Sequence, residues 1–308
     1  MFKFVFPQDK AISNEVLKLA YPVIVSNLSR VLMSIFDVAM VGRLGVEALA
    51  ATGMGAMMLW GALSLVLGIR TAVQTIASRR LGQKIDHETG TALHNGLLMA
   101  TIYALPMSIA GWLWAKDIIP FFIDDVTATP LAVDYASIIF LSLLFSAYSF
   151  VFQGFYTGVE KTKIHMTVTI TSNVINVYLN AGLIYGSEGV KSFFTETAPS
   201  LSFISHLWQW TSFPALGVKG AAIATLVASL WMSVHYGAHL FSKQIKTRFA
   251  VFSLSVDRGM MNRQLRLAAP QGLQEMFIAV GWSMFYKIVG MIGLIELATT
   301  ELLFTIMH

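Results

Sequence analysis

Residues 18–52 and 266–300 are two copies of one segment, offset by 248 positions with no gap. The first reads KLAYPVIVSNLSRVLMSIFDVAMVGRLGVEALAAT and the second RLAAPQGLQEMFIAVGWSMFYKIVGMIGLIELATT. Nine of the 35 positions are identical, among them Leu19/Leu267, Ala20/Ala268, Pro22/Pro270, Val41/Val289, Gly42/Gly290, Gly45/Gly293 and Ala50/Ala298. Each copy is a mostly apolar, helix-length run followed by a glycine turn. A chain duplicated in such units is constrained to helical lobes in a membrane, the internal symmetry common among secondary transporters. The second copy breaks off at His308, eight residues past the repeat, so most of a second half is expected to be missing.

Composition agrees with a membrane solvent. The chain is 56% apolar and 12% charged, against about 25% charged in soluble domains. The net charge of +4 does not suggest nucleic acid, because the basic residues are scattered and follow a membrane pattern. No cysteine is present, so disulfides, Cys-ligated metals and thiol chemistry are excluded. The N-terminus MFKFVFPQDK lacks the long apolar core of a cleaved signal peptide.

A spanning helix needs about 20 apolar residues. Runs of that kind predict seven spans at 14–40, 48–77, 90–114, 131–157, 166–186, 217–240 and 268–293, with an eighth beginning near 296 and cut off. The expected divisions are a cytoplasmic N-terminus 1–13, a six-helix lobe 14–240, a cytoplasmic linker 241–267 and the start of a second lobe 268–308. Fourteen Lys and Arg fall on the N-terminal side of these spans and four (Arg43, Lys116, Lys191 and Lys219) on the other. The positive-inside rule then puts the N-terminus in the cytoplasm. The 248-residue offset contains six spans, an even number, so both copies enter from the same side as parallel repeats. The longest outer loop, 187–216, carries Trp208 and Trp210, which suit an interfacial aromatic belt.

Several motifs lie in order along these spans: Pro22, FDVAMVGRLG around Asp37, LAATG at 49–53, NVINVYLN at 173–180 and GVKGAAIAT at 217–225. In these the chain resembles the multidrug and toxic compound extrusion (MATE) transporters, from about residue 14 to its end. The resemblance implies an all-α integral membrane fold: a six-helix N-terminal bundle, plus the seventh and partial eighth transmembrane helices of a parallel second repeat. It also implies H+- or Na+-coupled antiport, with export of amphipathic organic compounds. The expected partners are a small organic substrate and the bilayer of a bacterial inner membrane. No nucleic acid and no cofactor beyond the transported cation is expected, and the complete protein is expected to be a monomer.

Asp37 lies near the outer end of the first span. A carboxylate there costs about 2.5–3.5 kcal/mol on insertion scales, so it faces a partner, a cavity or an ion path. One such acid is the minimum for cation coupling; the bland alternative is a structural ion pair with Arg30, seven residues earlier. Asn173, Asn176 and Asn180, at i, i+3 and i+7, share one helix face. Their amide oxygens could ligate a hard cation or simply bridge helices. The resemblance implies that Asn176, Asn180 and Thr225 close a cation site with Asp37. Some members carry a second Asp where this chain has Asn180, which leaves one carboxylate here.

Glu275 occupies the repeat position of Asn27 and is a candidate acid of the second lobe's own ion site. Lys287, twelve residues on and about 18 Å along a helix, cannot pair with it. Pro22 and Pro270 correspond in the repeat and are candidate kinks, with Pro106 a third proline inside a span. His235 and His239, at i and i+4, suit an interface better than a metal, because no H-E-x-x-H pattern is present. No P-loop, nucleophile elbow or catalytic triad pattern is present, so no enzyme is expected. Two alternatives stay open. One is a lipid-linked precursor flippase of similar plan, which would need a cationic cavity built from Arg30, Arg70 and Lys287. The other is an inactive fragment lacking its second lobe.

Overall fold

The computed structural model describes residues 10–307 except Asp124, Ala198, Thr211 and Leu254. Most of the expected N-terminal segment 1–13 therefore lies outside the described residues.

The described chain is a succession of helices: α1 (Lys10–Gly42), α2 (Val46–Gly82), α3 (Glu88–Phe122), α4 (Ala128–Leu141), α5 (Leu143–Gly158), α6 (Thr162–Thr197), α7 (Val218–His239), α8 (Lys243–Phe249), α9 (Arg258–Ile292) and α10 (Leu294–Met307). A 3-10 segment, Pro199–Trp208, follows α6. α1, α2, α3, α7 and α9 are long and apolar enough to cross a membrane, and α4 with α5 makes a sixth such span. α6 falls short of that apolarity because one side is Thr169, Ser172, Asn173, Asn176 and Asn180, all buried inside the bundle. α10 has only 14 residues.

The duplication is legible in the helices. α10 starts 248 residues after α2, the offset of the sequence repeat. The corner is built alike in both copies: the Gly45 carbonyl accepts from the Leu49 amide at 3.2 Å, and the Gly293 carbonyl from the Leu297 amide at 3.2 Å. Pro22 and Pro270 both sit within unbroken helices.

α2 is the central helix, packed against α3, α4, α5 and α9. Small residues (Ala48, Ala50, Ala51, Gly53, Gly55, Ala62, Gly68 and Ala72) are buried along its length. In a bilayer, where lipid is as apolar as a leucine side chain, close backbone approach at such residues is the main source of helix association.

Three boundaries differ from the sequence expectation. The span expected at 131–157 is two helices bent by 46° at Ser142. The Ser142 hydroxyl donates to the Ile139 carbonyl at 2.6 Å, competing with the helical ladder. The Ser108 hydroxyl of α3 donates to the Phe140 carbonyl at 2.6 Å, so the bend leaves that buried oxygen paired. Ser108→Ala is expected to lower stability by about 1 kcal/mol, read as a drop in thermal unfolding temperature in detergent. An unchanged midpoint would show that the bend does not depend on this bond.

Residues 187–216, expected as an outer loop, are largely helical. Gly186 turns the chain inside α6 with φ of 75°, a left-handed conformation that favours glycine. The 3-10 segment then folds back on α6. Trp208 is buried and donates to the Tyr178 carbonyl at 2.7 Å, stacking on its ring at 5.1 Å. It is a packing residue rather than a belt residue. Trp210, 75% exposed, donates to the Tyr178 hydroxyl at 2.6 Å.

The linker expected at 241–267 holds α8, and the seventh span begins at Arg258 rather than 268. Asp257 caps α9, its side chain accepting from the Met260 amide. At the other end of the bundle Asp125 plays a similar part before α4. Its carboxyl is held below the usual aspartate value by the Thr127 hydroxyl and the Ala128 and Thr127 amides.

Candidate functional site: a carboxylate–amide cluster between α1, α6 and α7

The one-face spacing on α6 aims Asn176 and Asn180 at α1 and α7. Asn180 Nδ2 donates to Asp37 Oδ1 at 2.5 Å and to Asn176 Oδ1 at 2.9 Å. Asn176 Nδ2 reaches Thr225 Oγ1 at 3.5 Å. Asp37, Asn176, Asn180 and Thr225 are thus brought into one cluster. Asn173, on the same face, is directed elsewhere, donating to Ser29 Oγ at 2.8 Å.

Both donors of Asn180 are committed, and its Oδ1 is buried with no hydrogen-bond partner. A buried acceptor left open beside a carboxylate calls for a donor or a cation. A cavity of about 110 Å3 opens there, lined by Ser34, Asp37, Thr52, Tyr135, Asn180, Thr225 and Glu301 among others. Carboxylate, amide and hydroxyl oxygens are the donor set that suits a hard cation. Among the described residues no trio of His, Cys, Asp or Glu is grouped for a transition metal.

Glu301 was not anticipated. It reaches this cavity from α10, and its Oε2 accepts from the Tyr286 hydroxyl at 2.7 Å. The carboxylate packs on α2 at Gly53, where a Cβ would stand 2.7 Å from Oε2. One signal was available: subtracting the offset, 301 − 248 = 53, pairs Glu301 with Gly53 just past the repeat block. An acid stands where the other copy has no side chain.

The remaining candidates lie apart from the cluster. Arg30 does not pair with Asp37; its Nη2 donates to Asn27 Oδ1 at 3.1 Å. Glu275 Oε1 accepts from Gln271 Nε2 of its own helix at 3.1 Å, away from the Asp37 cavity. Lys287 stands 3.2 Å from the centroid of the Phe121 ring, a cation–π contact near the C-terminal end of α3. Arg30 and Arg70 do share a second cavity, of about 390 Å3, with Trp60, Phe150, Tyr286 and Glu301. A cavity with all three cations, as a flippase would need, is therefore not formed. The His235 and His239 rings stack at 5.1 Å, with Thr171 Oγ1 3.1 Å from His235 Nδ1.

A buried polar chain escaped the sequence reading. Arg70 Nη1 donates to Gln153 Oε1 at 3.5 Å, and Gln153 Nε2 stands 3.1 Å from His165 Nε2. Because Arg70 only donates, the Gln153 amide nitrogen must donate to His165, whose Nε2 accepts. Nδ1 then carries the proton and faces the Tyr236 hydroxyl at 2.6 Å. Nothing in the sequence links these four residues, since they are drawn from α2, α5, α6 and α7.

A family model described as MatE matches residues 22–181, just over half of the 308. The probable multidrug resistance protein NorM of Rhodopseudomonas palustris is 24% identical over 258 residues, covering 83% of this chain and 49% of that protein. The multidrug resistance protein NorM of Burkholderia vietnamiensis is 22% identical over 291 residues, covering 92% and 56% respectively. The chain thus spans about half the length of the curated relatives it matches. A solved structure described as the outward-facing conformation of a multidrug resistance MATE family transporter of the MOP superfamily matches with a TM-score of 0.72. It is 20% identical, over 88% of this chain and 54% of that one. At that identity the likeness is one of fold. Matched across the Asp37 motif and most of α6, and built of apolar helices in duplicate, the chain is a multi-pass membrane protein of the MatE family.

Proposed function

We propose that this chain supplies the cation-coupling lobe of an antiporter that exports amphipathic organic compounds. The observation that carries the reading is the Asp37–Asn180–Asn176–Thr225 cluster, with its single carboxylate and the open Asn180 Oδ1. Asp37 would accept a proton or ligate Na+ through its carboxylate, while Asn180 and Thr225 contribute oxygens. Residues 14–240 act as one six-helix lobe, and 268–308 begin a parallel second lobe after the 241–267 segment. Substrate binds between lobes, and their rocking alternates access. Neutralising Asp37 removes a charge from a low-dielectric site, which gives cation binding a lever on the lobe conformation. The charge bias of the connections supports an N-terminus on the cytoplasmic side, and the bacterial relatives support an inner-membrane location. The protein is a carrier and not an enzyme, working as a monomer when complete, with the transported cation in place of a cofactor.

The test is efflux of an amphipathic dye from inverted vesicles carrying the chain, under an imposed Na+ or pH gradient. Asp37→Asn is expected to reduce gradient-driven efflux at least about tenfold, since it removes the one carboxylate of the cluster and leaves Glu301 as the other acid lining the cavity. Efflux that survives with its ion dependence intact would overturn the coupling role. The gradient that drives the unmodified chain identifies the cation.

A further inference from the structure

Four arginines converge on a third, separate cavity at the opposite end of α2 from Glu47. Arg79 and Arg80 come from the last turn of α2, Arg263 and Arg266 from the second and third turns of α9. With Ile76, Gln83, Met260 and Leu267 they enclose about 390 Å3. Arg80 is tied to Glu88 at 2.9 Å and to Gln83 at 3.0 Å. Among the described residues none of the other three makes an ion pair, and no acid lines the cavity. Basic residues at a membrane face ordinarily splay into water, each with its own hydration. Here they converge from two helices over an apolar floor, Met260 being buried.

The surface next to this cavity has a polarity profile of its own. Arg266, Pro270, Leu273 and Phe277 follow one another at i, i+4, i+7 and i+11 and share a face of α9. Leu273 is 45% exposed and Phe277 70% exposed, with Leu267 beside them at 46%. From Arg266 to Phe277 is about 16 Å along the helix. A basic patch at the membrane face that continues into an exposed apolar strip fits a phosphate head group followed by an acyl chain. A free phosphate would have no use for the strip.

We propose that Arg79, Arg80, Arg263 and Arg266 form a binding site for the head-group phosphate of an anionic phospholipid, whose acyl chain lies along Leu273 and Phe277 of α9. Three arginines without carboxylate partners supply the charge, and guanidinium forks match phosphate oxygens in pairs. By the charge bias of the loops this end faces the cytoplasmic leaflet, where anionic lipid is concentrated. The site pins the ends of α2 and α9, the central helix and the lead helix of the second repeat, to one lipid molecule.

The test uses the purified chain in neutral detergent, with thermal unfolding and native mass spectrometry as readouts. The probes are phosphatidylglycerol, phosphatidylcholine of the same acyl chains, and inorganic phosphate. Phosphatidylglycerol is expected to bind roughly 100-fold more tightly than phosphatidylcholine and to raise the unfolding midpoint, at roughly fivefold in affinity for each of the three unpaired arginines. Arg263→Gln with Arg266→Gln is expected to remove most of that preference, roughly 20-fold on the same basis. Should the double variant misfold, Arg79→Gln alone and the salt dependence of binding to the unmodified chain serve in its place. Each should weaken phosphatidylglycerol binding and leave phosphatidylcholine unaffected. Equal binding of the two lipids overturns the site, as does a preference that survives the variants and high salt. Full protection by inorganic phosphate alone would overturn the lipid assignment in favour of a free anion.

Discussion

Adding one methyl group at Gly68 is expected to destabilise the protein by about 2–3 kcal/mol, whereas the same change at Gly281 should stabilise it by up to about 1 kcal/mol. Both are interior helical glycines, on α2 and α9 respectively. A Cβ at Gly68 would collide with the Ala268 carbonyl oxygen and stand 2.8 Å from the Gly272 amide nitrogen. Those are backbone atoms of α9 on either side of Pro270, so no side chain can swing aside to make room. Gly272 is itself close-packed, a Cβ there standing 3.1 Å from Leu65 Cα. The two helices therefore meet backbone to backbone, and Gly68→Ala must push them apart. A Cβ at Gly281 has nothing within 4 Å, so alanine there gains helix propensity without a clash. Thermal unfolding of both variants in detergent checks the pair. Equal midpoints would mean that the α2–α9 approach is looser than the structure has it.

That contact was only half legible in the sequence. The repeat announced α1 and α9 as counterparts, and the structure starts the helices that follow them, α2 and α10, at matching registers. Which helix α9 would lie against was not written in a periodic pattern, because α2 is buried on several sides and its glycines look alike in sequence. Helix ends suffered for a different reason. Spans were sought as apolar runs, and Arg258, Arg263 and Arg266 sit inside the helix that Asp257 caps. The Ser142 bend was hidden because one serine in an apolar run is ordinary until its hydroxyl turns back on the Ile139 carbonyl.

The site was more legible. Helical spacing put the α6 asparagines on one face, and family resemblance supplied Asp37 and Thr225 as their partners; the structure brings Asn176 and Asn180 to both. Glu301 was missed because its meaning depends on a contact between α10 and α2 that no local pattern encodes. The alternative ion pair of Arg30 with Asp37 is not formed; Arg30 donates to Asn27 instead.

Asn180→Leu is expected to weaken binding of the proposed coupling cation by about 10–100-fold, and to add little once Asp37 is already asparagine. Asn180 does two things in the cluster. Its Nδ2 orients Asp37 and Asn176, and its open Oδ1 faces the cavity that Asp37 lines. Hydrogen bonds to charged groups contribute about 1.5–3 kcal/mol, or roughly one to two decades of affinity. Leucine has a similar volume but neither donates nor accepts, so Asp37 loses its partner and the cation loses an oxygen. If both residues act through one bound ion, Asp37→Asn and the double variant should bind it equally poorly. A double-mutant cycle then returns a coupling energy close to the whole effect of Asn180→Leu. Sodium titration by calorimetry, or proton release to an indicator where the proton is the coupling ion, supplies the four affinities. Fully additive effects, or an Asn180→Leu affinity within about twofold of the unmodified chain, would reduce Asn180 to a bridge between helices and leave Asp37 to bind alone.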